Sequence, residues 1–235
     1  MSIVFDLDDT LIDTSDIYYK ARSRFLDLME SIGLDRDKSL IEFESIDSEM
    51  MHKLNHAPER YGLSMLRTFE RFSPNIAKSE RSKITTQLKK YGDIVTSNFP
   101  VVIDGAHELL RWSNDRYRLA VLTRGQEAFQ KRKLRVAGLE HYFQVVQVVN
   151  KKDGSALLAL LTSMGLKPED SWVIGDSIKS DILPAKEIGA RSILYEYKHP
   201  YYIWQQEYDS NLWIDVPKVS KLTDAITFLD AADKK

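Results

Sequence analysis

The chain of 235 residues contains no cysteine, which excludes disulfide bonds, thiolate metal sites and cysteine nucleophiles. Its formal net charge is only −2, so it lacks the basic excess that marks nucleic-acid-binding proteins. No apolar run approaches the length of about 18 residues that a membrane span needs. The N-terminus also lacks the basic and apolar regions of a secretory signal. We therefore expect a cytoplasmic protein with no nucleic-acid or membrane partner.

Two widespread catalytic motifs are missing as well. There is no glycine-rich loop of the form G-x-x-x-x-G-K-[ST], which excludes ATPases of the P-loop class. There is no G-x-S-x-G, which excludes the serine elbow of the α/β-hydrolases. What is present is an ordinary globular composition, 43% hydrophobic and 29% charged, in a chain long enough for one domain with a sizeable insertion.

Short apolar runs alternate with helical patterns over much of the chain. The six predicted strands are SIVFDL, RLAVLT, VVQVVN, SWVIGD, RSILYE and NLWIDV, of which the last two are weaker. Helical patterns lie between and after them, over 105–116, 126–137, 153–164, 178–188 and 218–230. Continuous apolar strands that alternate with helices indicate the α/β class, with a doubly wound parallel sheet covered by helices on both faces.

The region from 14 to 97 is different because it contains amphipathic helical stretches, turns at HAPERYG and FSPN, and no convincing strand. We predict a core formed by residues 1–13 and 98–235, with an all-helical cap, residues 14–97, inserted after the first strand. The cap carries no motif that identifies a substrate. An aromatic-rich segment over 195–208 is typical of a surface loop packed on the core, and it also suits the rim of a substrate entrance or a dimer contact.

Polar side chains follow the ends of the four main strands. In open α/β sheets, ligands bind at the carboxyl ends of the strands, so these side chains are expected to converge on one edge of the sheet. In chain order they are Asp6 and Asp8, then Thr123, then Lys151 and Lys152, and finally Asp176 and Asp181.

Each of these residue types has a use in phosphoryl transfer. Carboxylate oxygens suit Mg²⁺, and a carboxylate can also act as a nucleophile that forms an aspartyl-phosphate. A second carboxyl group two residues later lies on the same side of an extended chain, where it can serve as a general acid. A threonine hydroxyl and backbone amides hold phosphate oxygens, and a lysine neutralises the transferring group.

The segments DLDDT, LTRG, NKKD and GDSIKSD, taken together and in this order, resemble the four motifs of the haloacid dehalogenase-like (HAD) superfamily of hydrolases. The resemblance covers residues 1–13 and 100–215. The long gap between the first two motifs is similar to that of members with a helical cap inserted there. The resemblance implies a Mg²⁺-dependent phosphatase that hydrolyses a small phosphorylated metabolite through an aspartyl-phosphate intermediate.

The resemblance also implies a division of roles among the acidic residues. Asp6 would be the nucleophile, and Asp8 would be the general acid and then the base for the hydrolytic water. Mg²⁺ would be held by Asp6, by the backbone carbonyl of Asp8 and by Asp176. Asp181 would not bind the metal directly but would contact its ligands or act through a water molecule. We expect the neighbouring carboxylate to raise the pKa of Asp8, because a carboxyl group that acts as a general acid near pH 7 has to keep its proton at that pH.

The same resemblance assigns phosphate binding to Thr123 and to the backbone amide of Arg124. Two lysines fit the third motif. The spacing to Pro168 in the pattern KP selects Lys151, whereas the pattern KD selects Lys152, which we favour.

Three other functions share parts of this pattern. A phosphomutase of the same superfamily would have the same core motifs, and a phosphate-sensing or partner-binding module would have them without useful turnover. A carbon–halogen hydrolase of the superfamily would be expected to lack an aspartate at position 8, so Asp8 argues against it. Neither the identity of the substrate nor the oligomeric state follows from the sequence.

Overall fold

The protein folds into two compact units. The computed structural model describes residues 1–54, 56–72, 76–199 and 213–233. One unit comprises Met1–Ser15 and Pro100–Lys235, and the other comprises Asp16–Phe99. The boundaries predicted from the sequence lie two residues earlier at each junction. In the described ranges, no helix combines the length and apolar character that a membrane crossing needs.

Strands and helices alternate along the first unit, whereas the second is helical. The strands of the described residues are β1 (Ser2–Phe5), β2 (Ile12–Asp13), β3 (Val101–Val102), β4 (Arg118–Arg124), β5 (Val145–Val149), β6 (Ser171–Gly175), β7 (Arg191–Tyr195) and β8 (Lys218–Val219). The α-helices are α1 (Ser15–Ser31), α2 (Arg36–Leu54), α3 (Arg60–Phe72), α4 (Lys78–Ser97), α5 (Ala106–Asn114), α6 (Glu127–Val136), α7 (Gly154–Ser163), α8 (Leu183–Ile188) and α9 (Ala225–Asp233).

Six strands of the first unit form a parallel sheet in the order β5-β4-β1-β6-β7-β8. Side chains alternate between its two faces. Ile3 and Phe5 lie in one core with residues of α5 and α9, while Val4 lies in another with residues of α7 and α8. Both faces are therefore covered by helices, which confirms the predicted α/β class and the doubly wound sheet. β1 lies between β4 and β6, so the residue that follows it emerges at the middle of the sheet edge.

The C-terminal part of the prediction was wrong in detail. NLWIDV was predicted to be a strand, but residues 213–216 form a turn and a bend, and the sixth strand of the sheet is β8 instead. The ladder there uses the carbonyl of Pro217, which accepts a hydrogen bond from the amide of Leu194 at 2.9 Å. The helix predicted to start at 218 begins only at Ala225. Residues 200–208 of the aromatic segment and 73–75 of the predicted turn FSPN lie outside the described residues.

The second unit packs four helices around an apolar core that includes Phe25, Phe43 and Phe69. Its helix α3 approaches α4 very closely at one glycine from each helix. A Cβ atom placed on Gly92 would lie 2.6 Å from the Cα of Gly62, a distance that real Cβ atoms do not show. The two backbones can approach this closely because neither residue has a side chain.

We predict that Gly92→Ala destabilises the helical unit. The added methyl group would clash with the backbone of Gly62, which cannot move aside as a flexible side chain can. The helices must therefore move apart, which lowers the free energy of unfolding by about 1–3 kcal/mol. Thermal unfolding of the full chain, followed by circular dichroism, measures the loss. Ser82→Ala, at an exposed position of the same helix, is the matched control and should change stability by less than about 0.5 kcal/mol. An unfolding temperature for Gly92→Ala equal to that of the control would contradict the close approach.

Candidate active site

The chain makes a tight turn immediately after β1, and that turn fixes the start of the site. The amide of Asp6 still donates to the carbonyl of Ile174 on β6, at 2.9 Å. Asp9 then adopts a left-handed backbone conformation, with φ of 61°. Its buried carboxylate accepts hydrogen bonds from the amides of Thr14 (2.9 Å) and Ser15 (2.7 Å). Burial raises the pKa of Asp9 to about 7. Asp9 therefore stabilises the turn.

Three carboxylates converge at the carboxyl ends of β1 and β6. One oxygen from each of Asp6, Asp176 and Asp181 lies within 4.8 Å of the other two. They meet because β1 and β6 are neighbours in the sheet. The hydroxyl of Thr10 donates to Asp176 at 3.0 Å, and the amide of Ser177 donates to the fully buried Asp181 at 3.0 Å. Each of these two carboxylates thus has a donor that orients it.

Glycine at position 175 makes room for this arrangement. A Cβ atom on Gly175 would lie 2.2 Å from the carboxyl carbon of Asp181. Any other residue at the end of β6 would therefore displace Asp181 from the cluster. The glycine of the segment GDSIKSD is therefore explained by the close approach of the Asp181 side chain to the backbone, and not by the need for a turn.

The cluster has the chemistry of a site for a hard divalent cation. Its three carboxylate oxygens are the ligand type that Mg²⁺ prefers, and three protein ligands leave coordination positions for water and for substrate oxygens. The residues present therefore fit Mg²⁺. The side chain of Asp8 lies outside this cluster and has different partners, as described below.

The two candidate lysines have very different environments. Lys152 is buried, and its ammonium group forms ion pairs with the carboxylates of Asp6 and Asp181. Lys151 is on the surface, with 83% of its side chain exposed, and pairs with Asp153 at 3.0 Å. The structure brings Lys152 into the acidic cluster and leaves Lys151 outside it.

Burial and charge act in opposite directions on the pair of Asp6 and Lys152. Burial raises the pKa of Asp6 to about 6, although the ammonium group of Lys152 favours the ionised carboxylate. Burial alone would lower the pKa of Lys152, but the charges of Asp181 and Asp6 outweigh it and raise the pKa. The lysine is therefore held in its charged form, whereas the pKa of Asp6 stays above the usual value of an aspartate.

Asp8 is bound by a separate set of donors. One carboxylate oxygen, Oδ1, accepts from the hydroxyl of Thr14 and from the ammonium group of Lys133, each at 2.6 Å. The other oxygen, Oδ2, accepts from the side-chain amide of Gln130 at 2.7 Å. Lys133 and Gln130 both lie on α6 and are almost completely buried. The Asp8 side chain is thereby fixed between the turn after β1 and the helix that follows β4.

The expected pKa of Asp8 was wrong. Burial would raise the pKa of this carboxyl group, but the charge of Lys133, with the hydrogen bonds from Lys133, Thr14 and Gln130, outweighs burial and lowers the pKa below its usual value. The expectation considered only the neighbouring carboxylate. It did not include the buried ammonium group of Lys133, which stabilises the ionised carboxylate of Asp8.

Thr123 and Arg124 end β4 beside this group. The hydroxyl of Thr123 is buried and accepts from the same amide nitrogen of Gln130, at 2.7 Å, while the carbonyl of Arg124 accepts at 2.9 Å. The side chain of Arg124 is exposed. The strand therefore places the hydroxyl of Thr123 close to Asp8. The phosphate contact of the Arg124 amide stays a prediction.

Lys133 and Gln130 were not predicted as site residues, because they lie within α6 and not at the end of a strand. The available signal was the spacing of three residues between them, since positions i and i+3 lie on one face of a helix. On α6 that face also carries Leu134 toward the core. A lysine within an otherwise buried helix face needs an acidic partner, and the nearby turn supplies one.

Comparisons with known proteins identify the family of the chain. The chain matches the family model described as haloacid dehalogenase-like hydrolase over residues 3–195. A glyceraldehyde 3-phosphate phosphatase from Methanocaldococcus jannaschii is 30% identical over 197 residues, which cover 80% of this chain and 81% of the relative. A phosphorylated carbohydrates phosphatase from Thermotoga maritima is 26% identical over 198 residues, covering 82% of this chain and 83% of the relative.

Solved structures show the same fold. A haloacid dehalogenase-like family hydrolase from Xanthomonas campestris superposes with a TM-score of 0.79 at 23% identity, covering 99% of this chain and 97% of that one. The HAD-hydrolase YfnB from Bacillus subtilis, solved with bound magnesium, superposes with a TM-score of 0.66 at 18% identity, with coverage of 97% and 98%. The family match extends over most of the chain and includes every strand end of the candidate site, so the chain belongs to the haloacid dehalogenase-like hydrolases.

Proposed function

We propose that this protein is a Mg²⁺-dependent phosphatase that hydrolyses a small phosphate monoester, with a phosphorylated carbohydrate as substrate, through an aspartyl-phosphate on Asp6. The observation that carries the proposal is the arrangement around Asp6. One of its carboxylate neighbours is Asp176, another is Asp181, and the buried ammonium group of Lys152 contacts both Asp6 and Asp181. A nucleophile, a cation site and a fixed positive charge are thus adjacent.

In the first step of the proposed reaction, a carboxylate oxygen of Asp6 attacks phosphorus in line with the ester oxygen. The bond from phosphorus to that oxygen breaks, and the leaving alcohol takes a proton from Asp8. Lys152 keeps Asp6 in the ionised form that attacks, because its ammonium group opposes the effect of burial on the carboxyl group. Thr123 and the Arg124 amide hold oxygens of the phosphoryl group.

In the second step, a water molecule attacks the phosphorus of the aspartyl-phosphate and gives its proton to Asp8. Phosphate leaves, and the Asp6 carboxylate is restored. The Asp8 environment suits this role, because Lys133, Thr14 and Gln130 stabilise the ionised carboxylate that accepts the proton. To act as the acid in the first step, Asp8 has to take up a proton when the substrate binds.

Mg²⁺ held by Asp6, by the backbone carbonyl of Asp8 and by Asp176, with Asp181 acting on these ligands or through water, would neutralise negative charge on the transferring phosphoryl group. The formal charges support this assignment. Three carboxylates and one ammonium group leave two negative charges in the cluster, to which a phosphate ester adds more. A divalent cation removes the repulsion that would otherwise keep the substrate out.

The choice of a phosphorylated carbohydrate is supported by the relatives. Those compared above are named as phosphatases of glyceraldehyde 3-phosphate and of phosphorylated carbohydrates, and another relative, from Mus musculus, is named as an N-acylneuraminate-9-phosphatase. Hydrolysis is preferred over a mutase reaction for the same reason. Asp8 argues against a carbon–halogen hydrolase.

A screen of phosphate esters with and without Mg²⁺ tests the proposal directly. The panel includes glyceraldehyde 3-phosphate, hexose phosphates, a phosphorylated sugar acid and nucleoside monophosphates, with release of inorganic phosphate as the measurement. Phosphate release that needs Mg²⁺ and is fastest with a carbohydrate ester supports the proposal. A mutase would isomerise a sugar phosphate without net phosphate release, and a binding module would change none of the esters.

We predict that Asp6→Asn abolishes phosphate release, since the amide cannot act as the nucleophile. The substitution preserves the size of the side chain, and the circular dichroism spectrum should therefore remain that of the wild type. Asp115→Asn, at an exposed position after α5, is the matched control and should keep full activity. Activity of Asp6→Asn equal to that of the wild type at saturating Mg²⁺ would refute the proposed nucleophile.

We also predict opposite results for the two adjacent lysines. Lys152→Met removes the fixed positive charge beside Asp6, so kcat/KM should fall by about 100-fold or more, the scale reported for loss of one electrostatic contact in an active site. Lys151→Met removes only an exposed pair with Asp153 and should leave kcat/KM unchanged. Equal effects of the two substitutions would show that the lysine of the third motif has been misassigned.

A further inference from the structure

The second buried ion pair of the site joins Lys133 to Asp8, and its geometry fixes the Asp8 side chain as well as its charge. Lys133 has only 6% of its side chain exposed, and its ammonium group lies 2.6 Å from Oδ1 of Asp8 and 5.1 Å from the ring centre of Phe129. It is thus held by a carboxylate and an aromatic face within the first unit. A buried lysine pays a large desolvation cost, which is tolerated where its charge has a specific partner.

Gln130 lies one helical turn before Lys133 and contacts the same carboxylate. Its amide nitrogen is within hydrogen-bond distance of Oδ2 of Asp8, of the hydroxyl of Thr123 and of the carbonyl of Arg124. The position of this side chain depends on Gly125, where φ is 143° and a Cβ atom would lie 3.0 Å from Cγ of Gln130. The backbone after β4 is thus shaped to let Gln130 reach both the acid and the threonine.

We propose that Lys133 and Gln130 are positioning residues, which hold the carboxylate of Asp8 in the orientation needed for proton transfer to and from the reacting oxygens. The inference rests on the proposed function, because it assigns a task to the general acid of that reaction. The two residues act through Asp8 and need not touch the substrate.

The geometry explains why such positioning is needed. Asp8 follows Asp6 by two residues and lies near a cluster of carboxylates that suits a divalent cation. A carboxylate without other partners would turn toward a bound cation and become a ligand, which would remove it from proton transfer. With Lys133 and Thr14 on Oδ1 and Gln130 on Oδ2, both oxygens already have protein donors, none of which belongs to the cluster. The rotamer of Asp8 is then set by α6 and the turn.

The test compares two substrates that differ in how much they need an acid. An alkyl ester such as glyceraldehyde 3-phosphate has a basic leaving oxygen, whereas p-nitrophenyl phosphate leaves as a weakly basic phenolate that needs little protonation. The parameter measured is kcat/KM, because it reports only the steps up to formation of the aspartyl-phosphate. Water attack on that intermediate is common to both substrates and does not contribute.

For Lys133→Met we expect kcat/KM to fall by about 100-fold or more with the alkyl ester, which is the low end of what general acid catalysis contributes. With p-nitrophenyl phosphate the loss should be less than about tenfold, because little acid catalysis is there to lose. Gln130→Leu should show the same selective loss to a smaller extent. Lys131→Met, on the same helix but paired with Glu127 at the surface, is the matched control and should be like the wild type.

Two results would overturn the inference. An equal loss with both esters would mean that the substitution disturbs the site in general, and no loss with either would mean that Asp8 needs no positioning. If Lys133→Met does not fold, Gln130→Leu decides between the same outcomes. In an Asp8→Asn background, Lys133→Met should cause no further loss, since residues that act through one another are not additive. A wild-type protein inactive on both esters with Mg²⁺ would instead refute the proposed function itself.

Discussion

The structure of the site is determined by the need to place five aspartates around the end of one central strand. Asp6, Asp8 and Asp9 lie in the turn after β1, and Asp176 and Asp181 lie in the segment that follows the neighbouring strand β6. Buried carboxylates at such distances repel one another, so each needs a compensating partner. The chain supplies backbone amides for Asp9, Lys152 for Asp6 and Asp181, and Lys133 for Asp8. The remaining negative charge suits a divalent cation.

Two buried lysines give two neighbouring carboxylates different properties. Burial, with the charge of Asp181 added to it, outweighs the charge of Lys152, so the pKa of Asp6 stays above its usual value. Among the described residues, Lys133 forms an ion pair with the carboxylate of Asp8 alone and, together with Thr14 and Gln130, lowers the pKa of Asp8. The two groups differ in their other neighbours, because Asp8 also accepts hydrogen bonds from Thr14 and Gln130, whereas Asp6 lies beside the charge of Asp181. Two carboxyl groups separated by only one residue of the chain therefore have pKa values shifted in opposite directions, which suits the different roles proposed for them.

The sequence was sufficient to predict the parallel sheet and the position of most site residues. Continuous apolar strands predict a parallel sheet, and in a parallel sheet the carboxyl ends of the strands share one edge, so Asp6, Thr123 and Asp176 could be assigned to that edge in advance. The choice between Lys151 and Lys152 did not follow from the strand pattern. The two lysines are adjacent after β5, and the pattern does not show which of them is buried and which is exposed. Lys133 was missed because its partner is distant in sequence. NLWIDV was misassigned because its local apolar pattern does not show that β7 pairs with residues further along the chain.

Glycine residues set the distances on which these pairings depend. Gly175 lets Asp181 approach the end of β6, and Gly125 lets Gln130 reach Asp8 beneath the end of β4. In each case a side chain would meet the group that now lies there, Asp181 or Gln130, so the effect of the glycine is on the geometry of another residue. This explains why the segments LTRG and GDSIKSD both contain glycine next to a polar residue of the site. The cations neutralise the carboxylates, and the glycines allow the groups to come close enough for that neutralisation to work.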